Sequence, residues 1–168
     1  MNSEKTSIQQ NLSLRPAIGG DAADEAFLER LYADTRRDEL AFLNWSREQE
    51  DAFFKMQFQM QTAAYRIQHP DADYSVIEFD RSPAGRLIVE RGEREIKLID
   101  ISLLAKFRNR GIGEFFIEKL KDEAAASGKT LSLSVLKTNF AAQRLYERLG
   151  FAVVADTDLY FAMRWQKP

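Results

Sequence analysis

The chain has 168 residues, 45% of them apolar and 30% charged, with a formal net charge of -2. This suffices for one packed core, is not the composition of a disordered chain, and offers no excess of positive charge to attract nucleic acid. With no cysteine and a single histidine, His69, disulfides, thiolate nucleophiles and cysteine- or histidine-rich metal sites are excluded, so no metal is expected.

Residues 1–11 are polar and lack the apolar stretch of a secretory signal, and no apolar run approaches the roughly 20 residues of a spanning helix. A flexible tail on a cytoplasmic protein is expected, with no membrane partner and one domain over 12–168. Leu12 to Ala17 alternates and ends at Gly19-Gly20, as a first strand does. Asp21 or Asp24 can cap a helix carrying Phe27, Leu28, Leu31 and Tyr32 on one side. After a bend near Asn44 and Trp45, Ser46-Arg47-Glu48-Gln49 fits a capping box, and the helix it opens runs to about Gln68, stopped by Pro70. This helix has two apolar stripes: Phe53, Met56, Met60 and Ile67, and beside them Phe54, Phe58 and Tyr65. Two readings stand: a broad core-facing surface, or a second stripe that lines a substrate cleft or a homodimer contact.

Tyr74 to Phe79 and Arg86 to Arg91 flank a turn rich in Asp, Ser, Pro and Gly and should pair as a hairpin. Gly92-Glu93 then turns into a strand from Glu95 to Leu104. A helix over Ile112 to Ser127, a strand over Thr130 to Leu136, a helix over Phe140 to Leu149, and strands Phe151 to Ala155 and Tyr160 to Trp165 complete the order β-α-α-β-β-β-α-β-α-β-β. A mixed sheet with helices on both faces buries this pattern.

Ile96 to Gly113 carries the chemistry. An apolar strand runs into a short basic loop with two glycines, which opens a helix whose Ile112, Phe115, Phe116 and Leu120 turn inward. The helix start supplies free N–H groups and the positive end of the dipole, glycines admit a ligand to the backbone, and Arg108 and Arg110 add charge. Together they suit a phosphate or pyrophosphate. A Walker A loop fails because Glu114 follows Gly113, and a dinucleotide fingerprint fails because position 116 is Phe. The plain alternative is a tight turn with solvated arginines.

Arg108-x-x-Gly111-x-Gly113 after an apolar strand resembles the acetyl-CoA pyrophosphate loop of the GNAT superfamily. Asn139-Phe140-Ala141-Ala142-Gln143-Arg144-Leu145-Tyr146-Glu147-Arg148-Leu149-Gly150-Phe151 resembles that family's second motif, and the two come in the family's order. The resemblance is sharp from about Ile96 to Phe151 and topological from Leu12 to Arg94. It implies an α/β fold with a mixed sheet of about seven strands, mostly antiparallel with a parallel central pair, flanked by about four helices. It also implies an acetyl-CoA-dependent N-acetyltransferase in which a small-molecule or peptide amine attacks directly in a ternary complex.

By the same resemblance, the backbone of Arg108, Asn109, Arg110, Gly111, Ile112 and Gly113 holds the pyrophosphate. Leu103 and Leu104 offer backbone groups to the acetyl carbonyl and pantetheine arm. Asn139 contacts that arm or caps its helix, or does both. Tyr146 stands where many members place the proton donor to the departing thiolate; its plain alternative is a core aromatic. The family's strand glutamate falls at Lys97, so a base must be found from the residues themselves. Asp100 is the only carboxylate inside its apolar strand; it is either the base or one half of an ion pair with an arginine. Ala105-Lys106 replaces the family's frequent Pro-Glu, and Asn109 stands where glycine is common. Trp45, Phe54, Phe58 and Tyr65 suggest a partly aromatic acceptor cleft, which Glu39, Glu48 and Asp51 would equip for a cation. A non-catalytic acyl-CoA-binding module is the alternative function.

Overall fold

Capping and strand alternation set the elements in the order read from the sequence. The computed structural model describes residues 10–17 and 19–167, so the tail expected over residues 1–11 lies almost wholly outside the described residues. The elements are β1 (Leu12–Pro16), α1 (Ala22–Arg36), α2 (Arg47–Gln68), β2 (Asp73–Phe79), β3 (Ser82–Arg91), β4 (Glu95–Leu103), α3 (Ile112–Ser127), β5 (Thr130–Leu136), α4 (Phe140–Arg148), β6 (Ala152–Asp156) and β7 (Tyr160–Trp165). Asp21 caps α1 by accepting from the Asp24 N–H, and the Ser46–Gln49 capping box forms in full. Asp24 is instead buried in an ion pair with Arg15 of β1, which ties the helix start to the sheet edge.

The sheet runs β1-β2-β3-β4-β5-β7-β6, with β4 and β5 parallel and every other neighbouring pair antiparallel. One boundary differs from the sequence reading by more than a residue. The β2–β3 turn is only Asp80 and Arg81, both at positive φ, so β3 begins at Ser82 rather than Arg86. A bulge at Ile77/Glu78 lets Pro83 sit inside the strand without breaking the ladder. Gly85 is demanded by packing, because a Cβ there would lie 2.3 Å from the Ser102 carbonyl oxygen of β4.

Successive side chains of β4 face opposite ways. Asp100 reaches Gln61 of α2 through Arg86, while its neighbour Ile101 lies against Gly113 of α3. The helix pair α1–α2 and the helix α3 therefore cover opposite faces. Ile112, Phe116, Ile117, Leu120 and Ala124 of α3 fill the main core with Ile96, Leu98, Leu131 and Leu133 of the parallel strands. The two stripes of α2 separate. Phe54 and Phe58 are buried against Tyr32 and Ala33 of α1, each contributing about 2–3 kcal/mol by burial, whereas Met56, Met60 and Ile67 face outward. Among the described residues, no helix is long and apolar enough to cross a membrane.

Candidate active site

The parallel pair builds the site by parting. β4 and β5 pair from Glu95↔Thr130 to Leu98↔Leu133 and no further, so over Ile99 to Leu103 the edge of β4 that faced β5 has no strand partner. A bulge in β4 opposite Ile88/Val89 accompanies the divergence. The gap opens at the carboxyl ends of two parallel strands, a usual place for a ligand in an open α/β sheet.

At the end of β4 the chain makes a single 3-10 turn over Ala105–Phe107 and enters α3 through Arg108 to Gly111. Gly111 is the N-cap at φ 78, with no side-chain cap hydrogen bond and, among the described residues, nothing within 4 Å of where a Cβ would stand. Among the described residues the notch over the first amides of α3 is thus open and uncapped, as an anion site requires. Asn109 also takes a left-handed conformation, at φ 59, and Asn tolerates it better than most residues. That accounts for an asparagine where a glycine was expected. Gly113 would place a Cβ no closer than 3.9 Å to Ile101, so packing within the protein does not demand a glycine there.

The arginines divide. Arg108 does not extend into solvent. Its Nε donates to the Leu103 carbonyl at 2.9 Å and its Nη2 to Asp34 Oδ2 at 3.0 Å, while the same Asp34 oxygen accepts the Ala105 N–H at 2.7 Å. Asp34, at the end of α1, thereby clamps both ends of the loop from 71 and 74 residues away in sequence. Sequence reasoning missed it, because a carboxylate on an exposed helix turn carries no local signal. Arg110 lies over the Phe107 ring, 5.9 Å from its centroid. We expect Asp34→Ala to weaken coenzyme A binding about tenfold in calorimetry with little change in melting temperature. Asp34→Asn, which still accepts from Ala105, should recover part of the loss.

Of the strand-end groups, the Leu103 carbonyl is engaged by Arg108, and the Leu104 N–H donates to the Ala84 carbonyl at 3.0 Å. Asn139 caps α4 by accepting from the Ala142 N–H at 3.1 Å, leaving its amide NH2 for other partners.

Tyr146 of α4 is 9% exposed, and burial, aided by the negative charge of Asp100, pushes its phenol up to about 12. No hydrogen bond contributes to that shift. The phenol is therefore neutral at physiological pH and lies within the field of Asp100. Asp100 itself accepts from Arg86 Nε and from Ser102 Oγ, both at 2.8 Å. The pairing with arginine considered for it in the sequence therefore forms, with the Ser102 hydroxyl on the same carboxylate oxygen. Tyr65 of α2 joins them: burial raises its phenol, again with a contribution from Asp100. The other aromatics and acids expected near an acceptor go elsewhere. Phe58 is the exception, buried against α1 but also lining a cavity between α1, α2, β2 and β3; Phe54 is core, Trp45 packs on Phe53, and Asp51 pairs with Arg37 and Arg47. His69 meets Glu90 at 3.0 Å. Among the described residues, no group of His, Asp and Glu side chains could hold a metal ion.

The fold is shared with solved structures. The PaiA N-acetyltransferase of Thermoplasma acidophilum, in complex with coenzyme A, superposes with a TM-score of 0.67 at 14% identity, over 93% of this chain and 99% of that one. RimL, a ribosomal-protein α-N-acetyltransferase, gives 0.66 at 15% identity over 95% and 92%. A GNAT family acetyltransferase of Elizabethkingia anophelis with acetyl-CoA bound gives 0.60 at 11% identity over 94% and 99%. At such identities the likeness is one of fold. No curated protein matches the chain in sequence. The sequence model of the acetyltransferase (GNAT) family matches residues 28–151, from α1 through the turn before β6, and the chain belongs to that family.

Proposed function

We propose that the chain transfers an acetyl group from acetyl-CoA to a primary amine by direct attack in a ternary complex, in the cytoplasm. The observation that carries this reading is the parting of the parallel pair just before a glycine-capped helix start, with the buried phenol of Tyr146 on α4 as the candidate proton donor. The amides at the start of α3 suit the pyrophosphate, with the backbone of Arg108 to Gly113 as its cradle. The unpaired edge of β4 suits the pantetheine arm, as does the amide NH2 of Asn139, whereas the Leu103 carbonyl and the Leu104 N–H and carbonyl are already bonded to Arg108, Ala84 and Phe107. Coenzyme A-bound members of the fold support this placement.

Most of an amine is protonated near neutral pH, so it must lose a proton before it attacks. Asp100 spends Oδ2 on Arg86 and Ser102, and its Oδ1, directly or through water, receives that proton. The nitrogen then bonds to the thioester carbonyl carbon, the carbon–sulfur bond breaks, and the Tyr146 phenol delivers a proton to the departing sulfur. The proton taken from the amine before attack restores the phenol, and the second proton, lost from the nitrogen as the amide forms, passes to solvent. With no cysteine in the chain, no thioester-linked acetyl-enzyme is needed.

Release of coenzyme A from acetyl-CoA in the presence of an amine panel tests the reading. Saturable binding of coenzyme A without amine-dependent release would instead identify a binding module. Asp100→Asn should flatten the acidic limb of the rate profile, and an unaltered limb would place the base elsewhere.

A further inference from the structure

We infer that a cavity of about 620 Å³ enclosed by α1, α2, β2 and β3 receives the acceptor, and that it favours an amine with a carbonyl or carboxylate oxygen on the adjacent carbon. The inference rests on the proposed acetyl transfer and names the substrate class for it.

The cavity is large enough for an amino-acid-sized or larger molecule. Leu28, Phe58 and Ile88 give it apolar walls, and Thr62, Ser75 and Arg86 are among its polar ones. Two of these polar groups have unspent capacity. Thr62 Oγ1 is buried with no hydrogen-bond partner among the described residues, a costly state that an occupant relieves once the hydroxyl turns towards the cavity. The Arg86 side chain is only 8% exposed; it spends Nε on Asp100 and Nη2 on Gln61, and Nη1 donates to no described residue. A guanidinium and a hydroxyl together call for an oxygen acceptor.

The position of Arg86 gives the reach. The same planar fork that would hold the oxygen is 2.8 Å from Asp100, the proposed base. An oxygen held by Nη1 brings a nitrogen on the neighbouring carbon towards Asp100, whereas a simple alkylamine has nothing to place there. The charges of the walls are mixed: Glu25 and Glu29 on α1, Lys55 and Arg66 on α2. A polycation therefore has no uniformly acidic surface to bind, while the end of an amino acid or peptide is well matched.

Leucinamide and 3-methylbutylamine share one apolar body and differ only in the carboxamide. With acetyl-CoA as donor, kcat/KM for each, referred to its free-base concentration at several pH values, should favour leucinamide by about thirtyfold. Thr62→Val, close to isosteric and free of the orphaned hydroxyl, should reduce that ratio about fivefold. Equal constants for the two amines overturn this inference and leave acetyl transfer standing. A ratio that Thr62→Val does not move removes the cavity from recognition. A chain that binds coenzyme A yet releases none with either amine overturns the inference, and one that does not bind coenzyme A overturns the transfer reading as well.

Discussion

Gly111→Asp should raise the dissociation constant for coenzyme A at least about a hundredfold in titration calorimetry. At φ 78 the position is left-handed, so any side chain costs about 1 kcal/mol of backbone strain, and Asp is among the residues that tolerate it best. With no described residue within 4 Å of the new Cβ, the fold should survive. The carboxylate would compete for the uncapped amides of α3 and stand beside the phosphates. Two like charges about 4 Å apart repel by about 4 kcal/mol at the effective dielectric of a protein surface, which leaves two decades of affinity after screening. Gly111→Ala carries the same strain without the charge and should cost less than about fivefold. A folded Gly111→Asp protein with undiminished affinity would remove the pyrophosphate from this notch.

Tyr146→Phe should lower kcat by about a hundredfold to a thousandfold while the affinity for coenzyme A stays within about twofold of the native value. The change removes one oxygen from a packed ring that keeps its contact with Phe151. Unchanged turnover would make Tyr146 a core aromatic and nothing more. The same variant has a stability signature. With its folded value raised from 10.0 to about 12, the phenol keeps its proton in the folded chain over a range where the unfolded chain has lost it. Its contribution is complete below pH 10 and is lost as pH rises towards about 12, a total of about 2–3 kcal/mol. The Phe variant should therefore lose less melting temperature than the native protein between pH 9 and pH 11.5. A parallel decline would mean that the phenol is not buried as described.

Much of this was legible without coordinates because it is local. The Ser46–Gln49 capping box, the strand alternation and the glycine at the mouth of α3 each act within a few residues, where backbone preference and periodicity decide. The β2–β3 turn was not legible at its true length. Pro83 and Gly85 read as loop residues until a bulge and the close approach of β4 give each a place inside β3. On α2, periodicity shows two apolar stripes but not which one is covered. That depended on where Tyr32 and Ala33 of α1 come to lie, and the outcome buries Phe54 and Phe58 while exposing Met56, Met60 and Ile67.

By itself the sequence determined the element order, the anion-ready loop from Arg108 to Gly113 and the candidacy of Asp100, because each is written in residue types at short spacing, while the candidacy of Tyr146 came from the resemblance of its motif to the family's. Only the tertiary structure decided that Asp34 clamps the loop through Arg108, that Arg86 holds Asp100, and that β4 leaves β5 after Leu98. Each of these is a contact between segments far apart in the chain, made by side chains whose own neighbours in sequence give no hint of the partner. Coulombic and hydrogen-bond partners are chosen by packing, and packing is settled only when the whole sheet closes.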